Sequence, residues 1–394
     1  MSKHRVVFLA NNVQELGGAQ RVVHTLAQGL AERGYEVTTI GIVPSPSETP
    51  SSEPPPATNS SQSTPVHAYR QLTLLDEPLP PPLPGSGMRT RLGRAFRARQ
   101  AERQRMRDLA VARLGEALAD GPPGIVIAAQ VWAMEHLREV PKRHFDPRTW
   151  RIIGQYHASY RAAASGRDLV RLQRSYAEVD VVTALCDEDR RAFIAAGLPH
   201  TITMTNPIAH WPAQQAPGDT HKVVFLGRLA VEKGPLVLLD AWSHIEQAHP
   251  QWELLMYGSG PQSEQVAGRA AQIPRVRIMD PVAAPEAVLQ GAAVHVLPSL
   301  SEGSPLALVE AMAAGLACVA TYCSAGVRDL VDSGGNGLLV RAGDSVQLAN
   351  ALGVALQDAG LRSELGSAAR ASVAGRRLEV TLDRWEALLD EVWR

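Results

Sequence analysis

The stretch "SLSEGSPLALVEAMAAG", residues 299–315, sets Glu302 and Glu310 eight positions apart among small and apolar residues. Glu302 stands in a turn ahead of Pro305, and Glu310 sits among Leu306, Leu308, Val309 and Met312 on what reads as a buried helix. A carboxylate taken out of water without a partner costs several kcal/mol, comparable with the stability of a domain, so both acids need one. Gly303 and Ser304 lead into a helix whose first turn Pro305 sets, leaving free N–H groups and the positive end of the helix dipole to face an anion. Glu302 is then placed to accept from ligand hydroxyls, and Glu310, in the second turn, from a hydroxyl pair. The competing reading is two acids satisfied by caps or by partners within the protein.

Two further loops carry chemistry of the same kind. "GRLAVEKGP" (227–235) places Arg228 and Lys233 across a strand-to-helix turn, and two cations there suit a diphosphate, which needs its charge neutralised as it departs. Lysine occurs only at positions 3, 142, 222 and 233, which favours function over a merely solvated turn. Lys233 reads as exposed, so Lys233→Ala is expected to depress turnover and leave the fold intact. In "NNVQELGGAQRV", Gly17 and Gly18 let backbone N–H groups approach an anion at a helix start. The GxGxxG spacing is missing, and no acidic residue ends the second strand to hold a dinucleotide ribose, so a nicotinamide enzyme is not expected.

These loops follow strands, and the pattern that positions them is β/α throughout. Apolar runs at 5–12, 36–43, 124–130, 151–157, 180–186 and 201–206 alternate with amphipathic stretches; after a linker at 210–222, runs at 223–227, 252–258, 276–280, 294–299 and 317–323 repeat the alternation. In such open parallel sheets ligands bind beyond the carboxyl ends of the strands. A chain of 394 residues exceeds one ordinary core and suits two lobes of roughly 150–200 residues each. Pro/Ser-rich insertions within 44–87 bury too little to order themselves. "DED" (187–189) has the letters of a D-x-D metal motif but opens a helix, where acids cap and face the dipole, so no metal site is expected.

With the loops and strand series in place, the second half resembles the retaining family 4 glycosyltransferases of the GT-B fold. Glu302 and Glu310 match their E-x7-E motif, Arg228 and Lys233 their diphosphate-binding pair, and "GLACVATYCSAGVRDLVDSGGNGLLV" continues the similarity, which covers nearly all of residues 221–360. The resemblance implies that Glu310 binds the nucleotide ribose, that Glu302 and the Gly303–Ser304–Pro305–Leu306 backbone hold the donor sugar, and that Arg228 and Lys233 hold the diphosphate. The first half is similar through "LGGAQRVVHTLAQGLAERGYEV" and through His157 in "GQYHASY", which in relatives lies near the anomeric carbon and the acceptor.

The expectation is an α/β protein of GT-B type: two Rossmann-like lobes facing a central cleft, with a C-terminal helix crossing back. The lobes would span 1–209 for the acceptor and 210–375 for the nucleotide sugar, with the crossover helix at 376–394 carrying Leu378, Leu382, Trp385, Leu389 and Val392 at helical spacing. Its activity would be metal-independent transfer, with retention, of a hexose or N-acetylhexosamine from a nucleotide diphosphate sugar, UDP-linked by first choice. The acceptor would be a hydroxyl of an envelope glycan, a polyol-phosphate polymer or a lipid. A transferase acting on a secondary metabolite or a protein, a sugar-nucleotide epimerase on the same plan, and a non-catalytic binding protein are the alternatives.

Composition bounds the partners. A net charge of −1 gives no global attraction to nucleic acid. Cys186, Cys318 and Cys323 show no CxxC spacing and suit a reducing compartment as core fillers. No run approaches the roughly 20 apolar residues of a membrane helix, so a cytoplasmic protein is expected. The arginine-rich stretch 89–120 is compatible, over 89–113, with peripheral contact to an anionic membrane or acceptor. A solvated helix is the plainer reading, because its apolar stripe lapses between Phe96 and Met106.

Overall fold

The computed structural model describes residues 3–14, 17–44, 67–80, 93–166 and 168–394. Most of the Pro/Ser-rich insertions, and Arg89 and Arg91 of the basic stretch, lie outside the described residues. The chain forms two compact units: one from Met1–Tyr156, Val170–Thr183 and Glu386–Arg394, the other from His157–Leu169 and Ala184–Trp385.

The first sheet has seven strands: β1 (Arg5–Ala10), β2 (Glu36–Gly41), β3 (Arg70–Thr73), β4 (Ile125–Ala128), β5 (Arg151–Gln155), β6 (Val181–Ala184) and β7 (Thr201–Thr203), in the order β3-β2-β1-β4-β5-β6-β7. The second has six: β8 (Lys222–Leu226), β9 (Glu253–Tyr257), β10 (Val276–Met279), β11 (Val294–Leu297), β12 (Ala317–Thr321) and β13 (Leu338–Val340), in the order β10-β9-β8-β11-β12-β13. Pairing in the second sheet is parallel throughout. Its strands alternate between two cores, as the two-residue period of a strand requires. Val223 and Phe225 of β8 face Trp242, Trp252 and Leu254, whereas Val224 and Leu226 face Leu308, Met312 and Cys318.

In each sheet the strand order reverses once beside the first strand, between β1 and β4 and between β8 and β11. Such a reversal leaves a crevice at the carboxyl ends because neighbouring loops diverge to opposite faces. The glycine loop follows β1, the Arg228–Lys233 loop follows β8, and the Glu302 loop follows β11, so the sequence-derived loops all emerge at switch points.

All three cysteines are free and buried. Among the described residues no helix is long and apolar enough to cross a membrane. The basic stretch forms the helix Arg94–Ala119. Its buried face includes Met106, Ala110, Leu114 and Leu118, four apart, whereas Leu109 is exposed. Arg105, Arg107 and Arg113 pair with Glu102, Glu139 and Asp76. The C-terminal helix Leu378–Trp393 buries Leu382, Trp385, Leu389 and Val392. In the first unit Glu386 pairs with Lys3 and Arg33, and the Val392 carbonyl accepts from Arg151 Nε at 2.9 Å.

Candidate functional site

The β8 loop folds back on itself because of two glycines. Gly234 ends a short 3-10 turn, Val231–Lys233, at φ 63°, and a Cβ there would lie 2.2 Å from the Pro298 carbonyl oxygen after β11. Gly258 admits the Gly227 carbonyl, which a Cβ would meet at 1.9 Å. The loop is therefore pressed onto the end of the neighbouring strand. The Glu232 carbonyl accepts from the N–H groups of Leu300 at 2.8 Å and Ser301 at 3.3 Å, stitching the β8 and β11 loops together.

That seam brings Lys233 onto Glu302. Lys233 Nζ donates to Oε1 at 2.7 Å and Oε2 at 2.9 Å, and Ser299 Oγ donates to Oε1 at 2.7 Å. The Glu302 side chain is 6% exposed and that of Lys233 29%. The expectation of a freely exposed Lys233 is corrected here: the turn is exposed, but the ammonium is drawn inward by a buried carboxylate that would otherwise stand uncompensated. Arg228 points elsewhere, forming an exposed pair with Glu232 at 3.3 Å. Nearby, burial and the Glu302 charge push the Cys323 thiol up to about 11, so it is no nucleophile at neutral pH.

Beyond Glu302 the chain stays extended one residue longer than expected. The helix runs Leu306–Ala314 with Pro305 as its N-cap at ψ 115° and no side-chain cap. Gly303 and Ser304 are held outside the helix by other segments. Asn206 Nδ2 donates to the Ser304 carbonyl at 3.2 Å, and Ser324 Oγ to the Gly303 carbonyl at 3.4 Å. Gly326 is pressed against that same Gly303 carbonyl, which a Cβ would meet at 2.0 Å. The helix start is thus uncapped by side chains and fixed in place, an arrangement that suits an anion. On the helix, Leu308, Val309, Ala311 and Met312 are buried, whereas Glu310 is only half-buried. With His210, Pro285, Glu286 and Leu289 it lines a small opening.

His157 belongs to the second unit, and its carbonyl oxygen lies against Gly303, where a Cβ would approach it to 2.5 Å. The residue is part-exposed, but its Nε2 is enclosed and lacks a protein partner. Burial pushes the imidazole down to about 4, so it is neutral at physiological pH. Gly17 and Gly18 belong to the first unit, where Gly17 is the extended N-cap of the helix Gly18–Glu32 without a side-chain cap.

The acids 187–189 open the helix Asp187–Ala195 and have protein partners: Thr203 and Arg190 for Asp187, Arg328 for Glu188, and the Tyr160 N–H for Asp189. Among the described residues no group of three His, Cys, Asp or Glu could hold a metal. The residues that sequence reasoning missed are Ser299, Asn206, Ser324 and Arg376, the last of which reaches Ser304 Oγ. "VLPS" ending a strand and "CSAG" opening a helix carry a weak signal for Ser299 and Ser324. Nothing local points to Asn206 or Arg376.

The chain is similar to known proteins along both of its halves. Residues 16–208 match Glycosyltransferase Family 4, and residues 220–358 match Glycosyl transferases group 1. An uncharacterized glycosyltransferase of Haemophilus influenzae is 27% identical over 192 residues, 48% of this chain and 54% of that protein. The phosphatidyl-myo-inositol mannosyltransferase of Mycobacterium leprae is 34% identical over 176 residues, 44% of this chain and 45% of that protein. The chain spans about half the length, or less, of the curated relatives it matches. Among solved structures, Anabaena HepE in complex with UDP and glucose superposes with a TM-score of 0.73 at 18% identity, covering 98% of this chain and 100% of that one. Family matches along both halves make the chain a member of the family 4 glycosyltransferases, and its two sheets of parallel strands with interleaved helices have the two-lobe GT-B fold.

Proposed function

We propose that the chain is a retaining glycosyltransferase that moves a hexose or N-acetylhexosamine from a UDP-sugar to an acceptor hydroxyl of an envelope glycan, a polyol-phosphate polymer or a lipid, at the cytoplasmic side. The observation that carries this reading is the Lys233–Glu302 pair, with contacts of 2.7 and 2.9 Å, beside an uncapped helix start at the β8/β11 switch point. A cation, a buried acceptor and free N–H groups meet there, the set that a diphosphate joined to a polyhydroxy sugar requires.

In this reading Lys233 shifts from Glu302 towards the diphosphate as donor binds, which releases Glu302 to accept from a sugar hydroxyl. Arg228 adds a second cation, and Glu310 accepts from the ribose hydroxyls. The bond from the anomeric carbon to the diphosphate oxygen breaks, and the acceptor oxygen bonds to that carbon on the same face. The acceptor proton passes to the departing diphosphate. Neutral His157 contacts the sugar near the reacting carbon without adding charge. No covalent enzyme intermediate is needed, and the cations of the loop take the role that a metal plays in other transferases. The acceptor class is supported by relatives whose names place them on lipid and polysaccharide substrates.

The test is product analysis. Purified protein in EDTA is given UDP-glucose or UDP-N-acetylglucosamine with polyol phosphates or phosphatidylinositol vesicles. UDP release is followed together with the anomeric configuration of the product by NMR. Transfer giving an α-linked product supports the reading; a β-linked product, or UDP-sugar converted to an epimer without transfer, contradicts it.

A further inference from the structure

The donor loop is braced from behind by a charge that the proposed chemistry does not use. Arg376 is 9% exposed, its Nη2 pairs with Asp329 Oδ2 at 3.0 Å, and its Nη1 lies 3.5 Å from Ser304 Oγ. Asn206, 6% exposed, donates to the carbonyl of the same serine at 3.2 Å. These two groups arrive together. The Ile208 N–H donates to the Arg376 carbonyl at 2.7 Å, and Ile208 and Arg377 form a parallel bridge, so one short backbone pairing delivers both the amide and the guanidinium onto Ser304. Ser304 is itself 7% exposed and directly precedes the N-cap Pro305.

A hydroxyl whose oxygen faces a guanidinium can only accept from it, because arginine has no acceptor. The serine proton is thereby directed away from Arg376. We propose that Arg376 is a positioning residue of the donor site: through Ser304 it fixes the loop Gly303–Pro305 and orients the Ser304 hydroxyl as a donor to the diphosphate of the nucleotide sugar. The inference rests on the donor-site reading of this loop given above. It requires the effect of Arg376 on nucleotide binding to run through Ser304, which separates it from a purely structural ion pair with Asp329.

The experiment is a double-mutant cycle read by calorimetric titration with UDP, with melting temperature measured in parallel. Arg376→Lys keeps the charge but loses the fork, and Ser304→Ala removes the hydroxyl. Each single variant should weaken UDP binding about tenfold, the value of one charge-assisted hydrogen bond. In the Ser304→Ala background, Arg376→Lys should change the affinity less than about twofold, because its route is already gone. Asp329→Asn, which loosens the guanidinium from an exposed position, provides a milder second perturbation and should weaken UDP about threefold. Additive effects of Arg376→Lys and Ser304→Ala, or a lowered melting temperature with wild-type UDP affinity in both Arg376→Lys and Asp329→Asn, overturn the proposal while leaving the donor site standing. Wild-type protein that fails to bind UDP overturns the donor-site reading and this inference with it.

Discussion

Removing the Lys233 ammonium separates the structural role of the Lys233–Glu302 pair from the catalytic role proposed for it. Breaking a buried ion pair by deleting one partner costs about 3–5 kcal/mol, because a charge is left uncompensated. Lys233 is 29% exposed and Ser299 retains its hydrogen bond to Glu302 Oε1, which together reduce the expected cost of Lys233→Ala to about 2 kcal/mol. For a unit of this size that corresponds to a fall of about 4–8 °C in Tm. Glu302→Gln should cost less, about 1 kcal/mol, since the freed ammonium reaches water from its exposed side. Adding Glu302→Gln to Lys233→Ala should therefore raise Tm towards that of Glu302→Gln alone. Turnover should not follow. If Lys233 meets the departing diphosphate as proposed, its loss should cost about 3 kcal/mol of transition-state stabilisation, a rate loss of roughly a hundredfold that the second substitution should not restore. Calorimetric melting and initial-rate assays on the four proteins decide the matter. A Lys233→Ala variant that melts with wild type, or a double variant that melts as low as Lys233→Ala, refutes the reasoning about the pair.

Glu310→Gln should weaken UDP binding by about 1.5 kcal/mol with little change in Tm, as measured by titration and melting, because the half-buried Glu310 loses a charged acceptor and keeps its volume; a lowered Tm with wild-type affinity would mark it as structural only. Gly303→Ala would set a Cβ 2.5 Å from the His157 carbonyl oxygen, so the strand-end loop must shift at a cost of about 1–3 kcal/mol, with turnover falling alongside Tm; wild-type turnover would show that the loop tolerates the displacement. Burial holds His157 near 4, below the usual value of about 6.5 in an unfolded chain. Between those values the unfolded state binds the extra proton, so this contribution is complete above about pH 6.5 and is lost as pH falls towards 4, at up to about 1.4 kcal/mol per pH unit. His295, pushed down to about 3 by burial, acts in the same direction. Melting His157→Ala at pH 5 and pH 7.5 should reveal a smaller gap than in wild type, and an unchanged gap would contradict the burial of this ring.

Much of the frame was legible because buried parallel strands are continuous apolar runs. "VVFLA" and "VVFLG" read as buried strands and form β1 and β8, and the loops after them stood out in the sequence with them. β3 and β13 were missed: Arg70–Thr73 is a short, partly exposed edge strand between insertions, and Leu338–Val340 has three residues after a glycine turn. Within the site, residue types predicted the loops but not who holds whom. Lys233 and Glu302 are 69 positions apart, and their contact depends on the Glu232 carbonyl capturing the Leu300 and Ser301 amides, a backbone event that no side chain announces. Asn206 and Arg376 were invisible for the same reason, because the Ile208–Arg377 bridge delivers them. The helix start was placed one residue early since the pull of Asn206 on Ser304 competes with helix formation.

The central claim is that the loop after β8 recognises the second phosphate of a nucleotide. Titration of wild type and Lys233→Ala with UDP and with UMP tests it most directly. Wild type should bind UDP at least about tenfold more tightly than UMP, the worth of one well-placed cation on the extra phosphate, and the gap should largely close in Lys233→Ala. Equal binding of UDP and UMP by the wild type, or an undiminished gap in the variant, would contradict the account.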